Sequence, residues 1–245
     1  MKTEHKLKAE EFVLSLIEAK IPGLRCLIIF GSVATQNEEQ NSDIDLLILV
    51  DAIDTTKNHH MIHSIARQPR FSNFPRLAIN IESVGNYLEH LLVGDPFAVS
   101  IAQEGICLFN ENVFLGIQSI VENNKHLPDS KNLVEYLKNK ITNKIQEIQQ
   151  YHIPVLLEAI YVATFCYLLK RIIENEGINE WSDISIFSNH NILLEKAKEI
   201  LPEYSIMIQK LLMTRKNFKD EQNNDLPLSI LEIKDLVDFI KKLSL

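Results

Sequence analysis

The stretch FGSVATQNEEQNSDIDLLILV, residues 30–50, decides how the rest of the chain is read. A Gly31-Ser32 pair closes one apolar run, residues 27–30 (LIIF). Asp43 and Asp45 then open a second, residues 43–50 (DIDLLILV). Short continuous apolar runs of this kind predict buried strands. A glycine directly after a strand lets the backbone turn tightly and lets a ligand approach the main chain. Ser32 adds a hydroxyl and an N–H, and a helix starting there would offer its first amides to an anion. This half suits a phosphate. Asp43 and Asp45 stand at i and i+2 on a predicted strand, so both carboxylates emerge on one face. Mg²⁺ is typically held by one or two carboxylates together with waters and substrate phosphates. A metal pair there would activate a hydroxyl nucleophile and stabilise a leaving pyrophosphate. Glu82, on the next predicted strand, is the candidate third carboxylate. The competing reading is a plain turn with two edge charges. A lone Asp-x-Asp fits that reading; a strand, Gly-Ser, ten intervening residues, Asp-x-Asp and an all-apolar strand is far more specific.

Upstream, residues 3–20 predict a helix, with Phe12, Val13, Leu16, Ile17 and Ala19 at helical spacing and Pro22-Gly23 as its stop. Downstream, a helix is expected around residues 59–66, then a turn-rich patch, RQPRFSNFP. Residues 77–81 (LAINI) alternate: Leu77, Ile79 and Ile81 on one face, Ala78, Asn80 and Glu82 on the other. That predicts a third strand. Residues 84–92 read as a helix. Asp95 as N-cap and Pro96 at the first helical position start another, which runs to Glu104. Residues 106–109 (ICLF) are the last predicted strand. Beyond Asn110 strand-like runs cease, and turn residues near 122–131 mark a boundary. Leu133, Leu137, Ile141, Ile145 and Ile148 then form one apolar stripe; residues 154–175, 192–201, 204–218 and 229–243 predict further helices. The expected fold is α+β: a small β-sheet domain flanked by helices, residues 1–122, followed by an all-α helical bundle, residues 123–245.

Composition narrows the function classes. A net charge of −8 argues against a general nucleic-acid binder, which carries a basic face. Cys26, Cys107 and Cys166 are odd in number, lack a CxxC and sit in apolar runs. They read as buried thiols of a reducing compartment. The charged N-terminus shows no secretory signal, so a cytoplasmic location is expected. Residues 153–169 (IPVLLEAIYVATFCYLL) are apolar apart from Glu158, but this run is at the short limit for a membrane span and contains Pro154 and Thr164. It reads as a helix buried in a bundle, with no membrane association. His59, His60 and His63 share helical spacing without a convincing further ligand, so a solvated helix is the expectation. Arg67, Arg70 and Arg76 fall between the second and third strands and are either surface charges or cations within reach of a triphosphate. Trp181 reads as a packing residue.

Residues 31–50 resemble the signature of the polymerase-beta-like nucleotidyltransferase superfamily, most of all its minimal nucleotidyltransferase (MNT) branch. Gly31, Ser32, Ala34, Ser42, Asp43, Ile44 and Asp45 carry the likeness. Residues 94–110 (GDPFAVSIAQEGICLFN) resemble the closing helix and strand of that domain. The resemblance implies transfer of a nucleoside monophosphate, in the first instance AMP from ATP, to a hydroxyl of a small molecule or protein, with Mg²⁺ or Mn²⁺ as cofactor and pyrophosphate released. Gly31, Ser32 and Ser42 would bind the nucleotide phosphates, and Asp43, Asp45 and Glu82 the metals. Two departures stand out. Members commonly have Arg-Gly after the Ala, where this chain has Thr35-Gln36. An Asp is usual on the strand face bearing Ala78 and Asn80, where only Glu82 is acidic. The alternative is therefore a catalytically degraded module, of toxin–antitoxin or regulatory type, that binds nucleotide or a partner without turnover. The helical half resembles HEPN-like and kanamycin-nucleotidyltransferase C-terminal domains, which implies a role in acceptor recognition or homodimerisation. A ribonuclease role is not expected, because no His follows Arg215 at the required spacing.

Overall fold

A computed structural model describes residues 3–37, 42–51, 55–73, 75–123, 127–148, 153–186, 189–219, 235 and 238. Its contacts divide the chain into two compact units, Met1–Leu127 and Pro128–Leu245.

In the first unit, α1 (Thr3–Glu18) leads to β1 (Leu24–Phe30), and a short helical turn, α2 (Gly31–Ala34), joins β1 to β2 (Ile44–Val50). Helices α3 (Thr55–Ala66) and α4 (Pro69–Ser72) precede β3 (Leu77–Ser83). Then come α5 (Val84–Val93), α6 (Pro96–Glu104), β4 (Ile106–Phe109) and α7 (Glu111–Glu122). The strands form one mixed sheet in the order β3-β2-β1-β4, with β2 and β3 parallel and the other pairs antiparallel.

The two inner strands are apolar along almost their whole length because helices cover both faces. On one face, Leu27 and Ile29 of β1 and Ile44, Leu46, Ile48 and Val50 of β2 pack with Phe12, Val13 and Leu16 of α1 and Ile62 of α3. Phe12 meets Phe71 edge to face at 5.2 Å between ring centroids, an arrangement that adds about 0.5–1.5 kcal/mol beyond its buried area. The opposite face carries Cys26, Ile28, Phe30, Asp45, Leu47 and Leu49, and helices α5, α6 and α7 lie against it. Asp95 caps α6, its Oδ1 accepting from the Phe97 and Ala98 amides at 2.9 and 3.1 Å. The Tyr87 hydroxyl ties α5 to α6 by donating to the Ala98 carbonyl at 2.8 Å.

Strand β1 begins earlier than its apolar run. A register irregularity between Leu24 and Cys26 turns Arg25 outward, where its guanidinium grips both Asp51 oxygens at 2.7 and 2.9 Å. The partly polar segment after Ser32 is not all turn: Gly31–Ala34 is helical, with Val33 and Ala34 buried. The RQPRFSNFP patch likewise contains α4, which buries Phe71.

The second unit is helical: α8 (Ser130–Ile148), α9 (Ile153–Glu176), α10 (Ser182–Ser185), α11 (His190–Ile200), a single 3₁₀ turn (Pro202–Tyr204) and α12 (Ser205–Lys219). Leu133, Leu137 and Ile141 of the predicted stripe are buried, while Ile145 is only half-buried. Helix α9 is buried nearly all round, from Leu157 through Phe165 to Ile173, between α8, α11 and α12. The buried Thr164 is satisfied locally, its hydroxyl donating to the Ile160 carbonyl at 2.8 Å. Glu158 is held by Arg215 of α12 through two bonds of 2.6 and 2.9 Å, and the same guanidinium stacks over Tyr161 at 4.1 Å. Trp181 is buried, as expected of a packing residue. Among the described residues no helix is long and apolar enough to cross a membrane. The helix expected at residues 229–243 lies outside the described residues, apart from 235 and 238.

Candidate active site

The candidate residues gather where β1 ends and β2 and β3 begin. Phe30, the last residue of β1, pairs with Asp45, and Asp45 pairs on its other side with Ala78 of β3. Gly31 follows at φ +70. A Cβ on Gly31 would lie 2.5 Å from Asp45 Oδ2 and 3.3 Å from its Cγ. No side-chain carbon fits there, and the left-handed backbone also disfavours one. The glycine thus packs its Cα hydrogens against the carboxylate that the sequence singles out. Asp43 and Ser42 directly precede β2, half-buried. Ser32 is the second residue of α2, also half-buried.

The turn after Gly31 is held internally. The Thr35 amide and hydroxyl both donate to the Gly31 carbonyl, at 3.1 and 3.2 Å. The Asn37 amide donates to the Ser32 carbonyl at 2.9 Å, and its side chain donates to the Thr35 hydroxyl at 3.2 Å. Gln36 stands at φ +60, so the backbone keeps the left-handed geometry that a glycine would adopt freely. Thr35, where the resembling family commonly has a cation, instead ties the turn.

Glu82 stands apart from the two aspartates. It lies on the same face as Asp45 but is in register with Leu49, four residues along β2. At roughly 3.3 Å per residue the two are about 13 Å apart along the strands. The Glu82 carboxylate is also engaged by His90 Nδ1 at 2.9 Å, one helix on. The residue directly opposite Asp45 is Ala78, and Asn80 follows opposite Leu47. Among the described residues no three His, Cys, Asp or Glu side chains converge on a point that would hold a metal. The structure therefore brings together Gly31, Ser32, Ser42, Asp43 and Asp45 at one end of the sheet, and leaves Glu82 at the other.

One residue, His5, was not singled out from the sequence. His5 of α1 is buried and its Nε2 lies 3.2 Å from the Ser42 carbonyl, so it braces the backbone leading into Asp43. Nothing in a helix of alternating Lys and Glu marks one histidine as buried. Arg76 precedes β3 and its carbonyl accepts the Ile44 amide at 2.8 Å, which sets its backbone beside the aspartates. Arg70 instead pairs with Glu11 at 3.4 Å and stacks over Phe71. His59 and His63 stack at 4.9 Å between ring centroids; burial, then the neighbouring charges of His59, Arg67 and His60, push His63 below the usual histidine range.

The donor set suits a metal-bound triphosphate in part. Two carboxylates two residues apart, beside a glycine with no room for a side chain, match a Mg²⁺ ion whose remaining ligands are phosphates and waters. Among the described residues no third carboxylate joins Asp43 and Asp45 in a metal-holding group.

A family match agrees with this architecture at the level of the domain. No curated protein matches the chain. A solved structure described as "Crystal structure of the toxin-antitoxin with AMP-PNP" is similar at 18% identity and a TM-score of 0.30, covering 46% of this chain and 87% of that one. Residues 15–126 match the family described as Polymerase beta, Nucleotidyltransferase, which supports a polymerase-beta-like nucleotidyltransferase domain as the first unit of the chain.

Proposed function

We propose that the end of the sheet bearing Asp43 and Asp45 binds a Mg²⁺–NTP, ATP in the first instance, and that the first unit is a nucleotidyltransferase transferring AMP to a hydroxyl acceptor. The observation that carries this reading is the contact of Gly31 with Asp45. The positive φ, open to glycine without strain, and the missing side chain let the backbone lie against the Asp45 carboxylate, the close approach that a ligand at the main chain needs. Asp43 and Asp45 would hold the metal, which when bound neutralises phosphate charge and favours departure of pyrophosphate. The Gly31 and Ser32 backbone and the Ser32 and Ser42 hydroxyls would orient the phosphates. Arg76, next to the start of β3, would supply a cation in place of the one missing at Thr35. In the same reading the helical unit is HEPN-like and serves acceptor recognition or dimerisation.

A second reading is favoured by a specific observation. Ala78 faces Asp45 across the β2–β3 pair, and Glu82 is turned to His90. With Ala78 in that place, β3 offers the acceptor hydroxyl no carboxylate base opposite Asp45 among the described residues. The site would then hold a metal–nucleotide without turnover.

One experiment separates the readings. Mg²⁺-dependent ATP binding and pyrophosphate release are measured on the wild type and on Asp43→Asn/Asp45→Asn. Binding and release, both lost in the variant, support the transferase. Metal-dependent binding without release, in the presence of a panel of hydroxyl acceptors, supports the binding module. Equal nucleotide affinity with and without Mg²⁺, in both proteins, contradicts both.

A further inference from the structure

Two thiols that the nucleotide site does not use meet on the sheet. Cys26 lies on β1 and Cys107 on β4, with their Sγ atoms 3.9 Å apart. Cys107 pairs with Ile28, and Cys26 stands two residues further along β1 on the same face. Such diagonal neighbours are ordinarily about 7–8 Å apart. A register shift between Leu27 and Ile28 disturbs the regular ladder at this point, and the sulfurs come within contact. The two thiols differ in access: Cys26 is fully buried and Cys107 only half-buried. They also differ in charge preference. The hydrogen bond shared with Cys26 draws the Cys107 thiol below the usual thiol range, against the opposing effect of its burial. The Cys26 thiol is pushed far up by the same bond and by burial.

We propose that Cys26 and Cys107 are a peroxide-reactive pair, in which a hydroperoxide oxidises the accessible Cys107 and the buried Cys26 resolves it as a disulfide between β1 and β4. The Cys107 thiolate attacks one peroxide oxygen, the O–O bond breaks and hydroxide leaves, giving a sulfenic acid. The Cys26 sulfur then attacks the Cys107 sulfur. The S–O bond breaks, and the oxygen leaves as water with the Cys26 proton. Together the two thiols lose two electrons and two protons, and the peroxide is reduced to two waters. An S–S bond of about 2.0 Å requires the sulfurs to close from 3.9 Å. The covalent loop formed would enclose β2 and β3. Cys166, buried in the second unit, has no part in it.

The test uses the full reduced chain with hydrogen peroxide as the probe. The wild type is expected to lose two hydrogen masses. Peptide mapping should place the bond between Cys26 and Cys107, dithiothreitol should reverse it, and Cys166 should remain alkylatable after unfolding. Cys26→Ser should instead gain one oxygen at Cys107, trapped by dimedone; Cys26→Ala serves if the serine variant is not folded by circular dichroism. The wild-type rate should rise with pH below the range of an ordinary thiol, because the thiolate is the nucleophile. Oxygen uptake at Cys107 without loss of the two hydrogens overturns the proposal. So does a disulfide that includes Cys166, or a rate that rises only in the range of an ordinary thiol.

Discussion

Asp45 and Glu82 stand on the same face of one sheet, on neighbouring parallel strands, and serve opposite ends of it. Asp45 lies at the start of β2, pressed against Gly31 and opposite Ala78. Glu82 lies near the end of β3, opposite Leu49, and is held by His90. Alternation along a strand assigns both carboxylates to one side, but it says nothing about how far apart they are. Register does, and register is a long-range property set by which residues of two strands pair. A site needs both, and only the Asp45 end has the glycine, the hydroxyls and a second aspartate next to it.

The comparison can be broken by substitution at each end. The largest effect is expected for Asp45→Asn, which should weaken Mg²⁺–ATP binding by about tenfold or more, at least ~1.4 kcal/mol, measured by calorimetric titration. Gly31→Ala should come next. Its methyl would drive the Asp45 carboxylate from its place and force alanine into a left-handed backbone. Chemical denaturation should show a loss of roughly 1–3 kcal/mol, accompanied by loss of metal-dependent ATP binding. Ala78→Asp sharpens the comparison by adding a carboxylate where the register faces Asp45. Pyrophosphate release with Mg²⁺ should rise relative to the wild type, and an unchanged rate would mean that more than the third acid is missing. The smallest effect is expected for Glu82→Gln. The half-exposed pair with His90 contributes at most about 1 kcal/mol to stability, and nucleotide affinity should not change. A Glu82→Gln variant with lost binding would put the ligand at the wrong end of the sheet.

Much of the first unit was legible in the sequence for local reasons. The apolar runs at residues 27–30 and 43–50 are buried from both sides, so they read as strands without any partner being known. The Asp95-Pro96 start of α6 is a capping signal contained in two residues. The Gly31-Ser32 and Asp43/Asp45 halves of the candidate site were legible for the same reason. What was not legible depends on distant pairing. The run at residues 77–81 gave the face of Ala78, Asn80 and Glu82 but not which of them opposes Asp45, and Glu82 was selected because it is the acid. The extension of β1 back to Leu24 depends on its pairing with Val50 at the far end of β2. His5 is buried because α1 crosses near Ser42, and its own neighbours in sequence carry no trace of that. In the second unit the apolar character of residues 153–169 predicted the buried α9, whereas the grip of Arg215 on Glu158 joins residues too far apart in sequence to be paired by inspection.

The central claim is that metal-bound nucleotide is held at the Asp45 end of the sheet and not at the Glu82 end. It is tested most directly by titrating ATP, with and without Mg²⁺, into the wild type, Asp45→Asn and Glu82→Gln. The account predicts Mg²⁺-dependent binding in the wild type, the same binding in Glu82→Gln, and its loss in a folded Asp45→Asn. Retention of Mg²⁺-dependent binding in Asp45→Asn, with loss in Glu82→Gln, would contradict it.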